Sequence, residues 1–292
     1  MMEVCPALEW LALEGNLFYG GFRELEVEQL GPALQTLQTL QLEQYVLVED
    51  DEDVLERCIR LCPQLQRFQY VATPMTWQRA DRPMTVADLL DALAPAQLTL
   101  RFLELDLSYI IRPYREDEFE HISLLQYLSR FEELETLYLD QDSICFPSAH
   151  ESSEEDGNED VAYEAICIVD MLPRTVKSLG IRVPDGNMRM HDDIETLGLK
   201  RQDGMFPELT RFELVIKSGD RGNGRAGLQN EVDYVSRVVL KAFEGTSVEA
   251  TVRVQEVYGP MSFSHSGRRL EARERSEDIP DGWIGGDEWR AF

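Results

Sequence analysis

The sequence predicts an α/β solenoid, with short parallel strands side by side on a concave sheet and helices on the convex side. Three observations predict it. A frame of the form apolar-x-x-apolar-x-apolar returns along the chain. Within each frame apolar and polar residues alternate, so a strand built from it has one dry and one wet face. Most gaps between frames carry apolar residues at helical spacing.

The frames fall at Leu8, Leu11, Leu13; Leu37, Leu40, Leu42; Leu65, Phe68, Tyr70; Leu100, Leu103, Leu105; Leu134, Leu137, Leu139; Val176, Leu179, Ile181; and Leu209, Phe212, Leu214. Their intervals are 29, 28, 35, 34, 42 and 33 residues. Such a frame alone is weak: at 43% hydrophobic residues, about one frame in twelve passes by chance. The lead-ins "CPAL", "CPQL" and "FPEL" add to it, placing Pro6, Pro63 and Pro207 two residues before the first apolar position. Proline fixes φ and ends a preceding helix, so each marks a helix-to-strand corner.

The helical stretches follow in order. "DEDVLERCIRLC" puts Val54, Leu55, Cys58, Ile59 and Cys62 on one face, and "TVADLLDAL" opens on Thr85, an N-cap residue type. "DEFEHISLLQYLSRF", "AYEAICIVDML" and "NEVDYVSRVVLKAF" carry the same stripes. "VEATVRVQEV" alternates at Val248, Ala250, Val252 and Val254 and reads as a final edge strand. A sheet covered by helices on both faces prefers continuous apolar strands; here Gln41, Glu43, Arg67, Gln69, Thr136 and Glu213 interleave instead. No Gly-rich phosphate turn follows any strand, which removes the main reason to expect a dinucleotide-binding fold.

"CPALEWLALEGN", "LETLYLD", "LPRTVKSLGIR" and "FPELTRFELVI" resemble a leucine-rich repeat protein. The likeness is to the long, irregular kind found behind F-box domains, especially in filamentous fungi. It covers residues 1–257 as about 7–8 irregular repeats. Asn16 is the only asparagine at the ninth motif position, where the family's ladder asparagine stands; Thr73, Ser108 and Asp142 occupy it elsewhere and are expected to bond loop amides less regularly. Tyr45, Pro184 and Lys217 are unsuited to that part. No F-box is visible ahead of the first repeat strand, which is expected to begin by Leu8. The resemblance implies a truncated or diverged F-box relative, and a role in choosing substrates for an SCF-type ubiquitin ligase. A Skp-type adaptor would be a partner only if an F-box is missing from this chain.

Lys plus Arg is 28 and Asp plus Glu 55, a net charge of −27. That field repels phosphate backbones and anionic membranes, so neither nucleic acid nor membrane is expected as a partner. Its longest apolar run, near Leu98 to Ile111, is interrupted by Arg101, Glu104 and Asp106 and cannot span a bilayer. The five cysteines, Cys5, Cys58, Cys62, Cys145 and Cys167, form no even, dense framework. Free thiols in the cytoplasm or nucleus fit better. "SAHESSEEDGNED", residues 148–160, has six acids and no Lys or Arg and reads as an acidic flexible loop. Residues 218–227 read as a second flexible loop by their glycines, and 258–292 as a mostly disordered tail with Trp283 and Trp289 docking in cis or binding in trans.

Catalytic chemistry finds little support. Cys58 and Cys62 share a helix face without a second ligand pair, so core thiols are expected rather than zinc. Cys145 and His150 lie beside acids, which raise a thiol pKa and suppress a nucleophile. The acid pairs Asp50/Asp51 and Asp192/Asp193 read as helix N-terminal charges or solvated loops. No cofactor, metal or catalytic residue is assigned. The leading reading is a non-catalytic module binding a protein partner with a basic surface. Its concave face presents Trp10, Glu14, Gln41, Glu43, Phe102, Glu104, Asp106, Tyr138 and Asp140. The alternative is an α/β enzyme with a pocket at the strand ends.

Overall fold

Each predicted frame is a strand, and the strands lie in one sheet in the order in which the chain makes them. The computed structural model describes residues 8–14, 27–45, 47–48, 51–72, 83–107, 128–147, 163–165, 168–184, 188–218 and 225–256. All belong to the unit Met1–Gly259. The acidic stretch 148–160, the tail 258–292, Asn16, Thr73 and Ser108 lie outside the described residues, as does most of "DEFEHISLLQYLSRF".

The strands are β1 (Trp10–Glu14), β2 (Thr39–Tyr45), β3 (Arg67–Ala72), β4 (Phe102–Asp106), β5 (Thr136–Asp140), β6 (Cys145–Pro147), β7 (Tyr163–Ala165), β8 (Ser178–Pro184), β9 (Arg211–Ser218) and β10 (Glu249–Glu256). Between them come helices α1 (Val27–Leu34), α2 (Glu52–Arg60), α3 (Val86–Ala92), α4 (Ile168–Met171), α5 (His191–Gln202) and α6 (Arg225–Ala242). Eight strands form a single open sheet, β1-β2-β3-β4-β5-β8-β9-β10, and every neighbouring pair is parallel. The order never reverses. Crossovers of one hand in an unreversed order put all connecting helices on the same side.

The register makes the two faces chemically opposite. One row across the sheet reads Leu11, Leu40, Phe68, Leu103, Leu137, Leu179, Phe212, Ala250, and the next Leu13, Leu42, Tyr70, Leu105, Leu139, Ile181, Leu214, Val252. These rows share one core with the buried helix residues, among them Val54, Leu55, Leu89, Leu90, Ile194, Leu197, Val235 and Val239. Each fully buried leucine stabilises by about 1.5–3 kcal/mol over an exposed one. The sheet's other face carries the polar rows.

The turns into the strands repeat bond for bond. Gln38 and Thr39 both donate their amides to the Glu9 carbonyl, at 2.9 and 3.0 Å. The same doubled donation runs from Gln66 and Arg67 to Gln38, from Arg101 and Phe102 to Gln66, and from Glu135 and Thr136 to Arg101. It continues from Lys177 and Ser178 to Glu135 and from Thr210 and Arg211 to Lys177, and ends with Glu249 on Thr210. The first frame residue is fixed in the same way each time. Leu37, Leu65, Leu134, Val176 and Leu209 donate to the carbonyl three residues back, and Leu100 to Ala96. Pro63 stands in the turn between α2 and β3, the corner its φ restriction predicts.

Several local expectations hold. Thr85 caps α3 in a capping box with Asp88. Asp192 and Asp193 lie in the first turn of α5, and Asp51 is the N-cap residue of α2, although it is buried and takes the Val48 amide at 3.0 Å. Cys58 and Cys62 are free and buried in the core. The Cys58 thiol beside it and burial both push Cys62 up, well out of the reactive range. β10 is an edge strand, parallel to β9.

Two expectations are corrected. "AYEAICIVDML" is not one helix: Tyr163–Ala165 is strand β7, antiparallel to β6, and within that stretch the described helix is Ile168–Met171. Pairing Cys145 with Ala165 closes the neck of the acidic insertion, and that pairing overrides the helical spacing. The second loop is shorter than 218–227, because Ser218 ends β9 and Arg225 begins α6.

Helices α1 and α5 carry weak sequence signals. Gly31 and Pro32 interrupt α1, and α5 buries only Ile194, Leu197 and Gly198. A Cβ on Gly198 would lie 1.9 Å from the Ala242 carbonyl oxygen, so glycine is what lets α5 approach the end of α6.

Candidate functional site: the polar face of the sheet

Alternation puts one polar row at Ala12, Gln41, Gln69, Glu104, Tyr138, Gly180, Glu213, Thr251. Trp10, Thr39, Arg67, Phe102, Thr136, Ser178 and Arg211 lie two residues before it. Glu14, Glu43, Val71, Asp106, Asp140, Arg182, Val215 and Arg253 lie two residues after it. All nine predicted partner-binding residues therefore share this face. Their exposures divide them into two groups.

The β4–β9 part is filled by its own charges. Arg182 pairs with Glu104 and, at 3.3 Å, with Asp106. Lys217 also binds Asp106. All four are buried. Burial works against the Arg182 charge, but the Glu104 and Asp106 carboxylates outweigh it and hold the guanidinium above its ordinary pKa. Asp140, fully buried, accepts from the Ser143 amide at 2.9 Å, the Ser143 hydroxyl and the Leu107 amide at 2.8 Å. It thereby ties the end of β4 to the turn after β5, the service the resemblance assigned two positions later, to Asp142. Lys217 neutralises a carboxylate instead of bonding loop amides. Glu104, Asp106 and Asp140 are therefore internally engaged, not free carboxylates for a partner.

Tyr138 lies across β8. A Cβ on Gly180 would fall 2.0 and 2.1 Å from ring atoms Cδ1 and Cε1, so the ring occupies the space a side chain there would fill. Its hydroxyl donates to Glu213 Oε2 at 2.8 Å, two strands away. Glu213 is also paired with Arg253 at 2.5 Å. Burial and the Glu213 carboxylate push the Tyr138 phenol up. Phe102 is 5.9 Å from the Tyr138 ring, and the Arg67 guanidinium stacks 3.6 Å over the Phe102 ring.

The β1–β2 end is open. Trp10 is 52% exposed, Glu14 is exposed, and Gln41 and Glu43 are half-buried. Glu14 and Glu43 are lateral partners in the register, and Gln41 donates to Glu43. No described Lys or Arg lies within ion-pair reach of either carboxylate. Sequence reasoning placed Arg67 and Glu213 on the wet face without assigning them to the site, and did not single out Gly180, Arg182, Lys217 or Arg253 for it; all six share the strand parity of the predicted residues, which was the available signal.

Open α/β sheets bind ligands where the strand order reverses, and this order does not reverse. Among the described residues no group of three or more His, Cys, Asp or Glu side chains is arranged to hold a metal, and no helix is long and apolar enough to cross a membrane. The chain matches no family model, no curated protein and no solved structure.

Proposed function

We propose that this chain is a non-catalytic protein-interaction module, a leucine-rich-repeat-type solenoid that binds a protein partner on the polar face of its sheet. The carrying observation is the unreversed parallel order, with every apolar row on the helix side and every polar row opposite. The doubled amide donation, repeated from turn to turn, supports a copied unit. Curvature towards the polar face has its own support. Asp106 and Lys217 stand three strand spacings apart, about 14 Å on a flat sheet. A lysine stem, an aspartate and the contact between them together reach only about 12 Å. A sheet that bends towards its polar face brings the pair within reach.

A cytoplasmic or nuclear partner with a basic surface suits the net charge of −27. Substrate selection for a ubiquitin ligase is the specific form the resemblance implies, and co-purification of a Skp-type adaptor is its separate test. The general reading is tested by placing a photo-crosslinking amino acid at Phe102 or Thr136 on the polar face, or at Leu199 on a helix. In extract of the source cells, discrete protein adducts are expected from Phe102 and Thr136 and not from Leu199. Adducts confined to Leu199, or equal at all three positions, refute the reading.

A further inference from the structure

We infer that the β1–β2 end of the polar face docks an extended segment of a protein partner, with an arginine held between Glu14 and Glu43 and an apolar residue on Trp10. The inference rests on the interaction reading above and narrows it to one end of the sheet and one chemistry.

The two halves of the face differ in how their charge is met. From β4 to β10, Glu104, Asp106 and Glu213 each have a cation from the chain itself. Glu14 and Glu43 have none among the described residues. The register sets them side by side on adjacent parallel strands, about 4.8 Å apart at the backbone. Two like charges in lateral register disfavour the free protein and attract a cation that bridges both. A guanidinium suits the position, since its planar fork donates to two carboxylates at once, which an ammonium does less well.

Trp10 supplies the second point. A half-exposed tryptophan at an interface is a rigid apolar anchor. It lies four residues before Glu14 on the same face, about 13 Å along the strand. Ala12, half-buried, is the intervening residue on that face and carries only a methyl group. A segment lying extended along β1 meets both points only if its apolar residue and its arginine are four positions apart.

The spacing is the test. Eight fluorescein-labelled Ser/Gly peptides, each with one leucine and one arginine placed one to eight positions apart, are titrated against the full chain by fluorescence anisotropy. Binding is expected to be tightest at an offset of four. Replacing that arginine by citrulline, or using the E14Q/E43Q variant, is expected to weaken it at least tenfold, and W10A to weaken it similarly. A variant losing the same charge away from the polar face, D203N/E208Q, is expected to stay within twofold. Circular dichroism checks that each variant is folded. No offset preference, or equal weakening in E14Q/E43Q and D203N/E208Q, means general attraction to a polyanion and overturns the proposal. If adducts form at Phe102 and Thr136 and persist unchanged in E14Q/E43Q, this assignment fails while the broader reading stands.

Discussion

Replacing Gly180 by alanine tests whether the Tyr138 ring is held across the sheet as described. The new methyl would lie 2.0 Å from Tyr138 Cδ1 and 2.1 Å from Cε1. Ordinary carbon contacts are about 3.5–4.0 Å, so the ring must retreat by roughly 1.5–2 Å. The 2.8 Å bond from its hydroxyl to Glu213 does not survive that retreat. Hydrogen bonds to charged groups contribute about 1.5–3 kcal/mol, and the half-exposed phenol argues for the lower part of that range. Alanine in place of glycine returns about 0.4–1 kcal/mol by restricting the unfolded chain. The net expectation is a loss of about 0.5–1.5 kcal/mol, read by urea unfolding followed by circular dichroism. The deciding measurement is the same substitution in a Tyr138→Ala background. With the ring gone the methyl's three nearest contacts go with it, and G180A should become neutral or slightly stabilising. A loss of equal size in both backgrounds would falsify the account of Tyr138 and Gly180.

Lys217→Met removes one of the cations paired with the buried Asp106 carboxylate and should cost about 3–5 kcal/mol in the same assay, whereas D106L/K217M should regain at least half of that. Asp140→Ala strands the buried Leu107 and Ser143 amides and should cost about 2–4 kcal/mol, with a smaller loss for Asp140→Asn. Because burial and Glu213 raise the Tyr138 phenol in the folded state, that group's stability is complete below pH ~10 and is lost as pH rises beyond it. Tyr138→Phe should therefore be less stable than the parent at neutral pH, and the gap should narrow above pH ~10 in pH-stepped urea titrations. In a C5S/C145S/C167S variant, the buried Cys58 and Cys62 should react with a disulfide reagent only as fast as the protein opens; rapid reaction of the native state would contradict their burial.

The strands were legible because their signal is local and repeated. Leucines two apart in every frame fix which face is dry, and a register shifted by one residue would expose Leu137 and Leu139 while burying Tyr138. The parallel pairing was legible from the intervals, since about thirty residues leave room for a helix and a crossover, and the unreversed order from the alternation, since a sheet covered on both faces prefers continuous apolar strands. α1 and α5 were harder. The close approach of α5 to the Ala242 carbonyl selects Gly198, and glycine weakens the helical signal that would have announced the element. The candidate site was legible as a face and not as a set of pairs. Parity places Glu104, Asp106 and Tyr138 on the polar side. Nothing local to Asp106 points to Lys217, 111 residues later, because that meeting spans three strand spacings of the finished sheet. The acids read as invitations to a partner were, in the β4–β9 part, already answered by the chain.

The Asp106–Lys217 pair also governs how the molecule comes apart. In an array whose strands touch only their sequence neighbours, terminal units peel away one at a time. Here, cutting the chain after Pro184 would remove β9 and leave Asp106 buried without its lysine. The stretch from β4 to β9 is riveted into one block and should melt as one, while β1 to β3 remain free to fray independently at the opposite end.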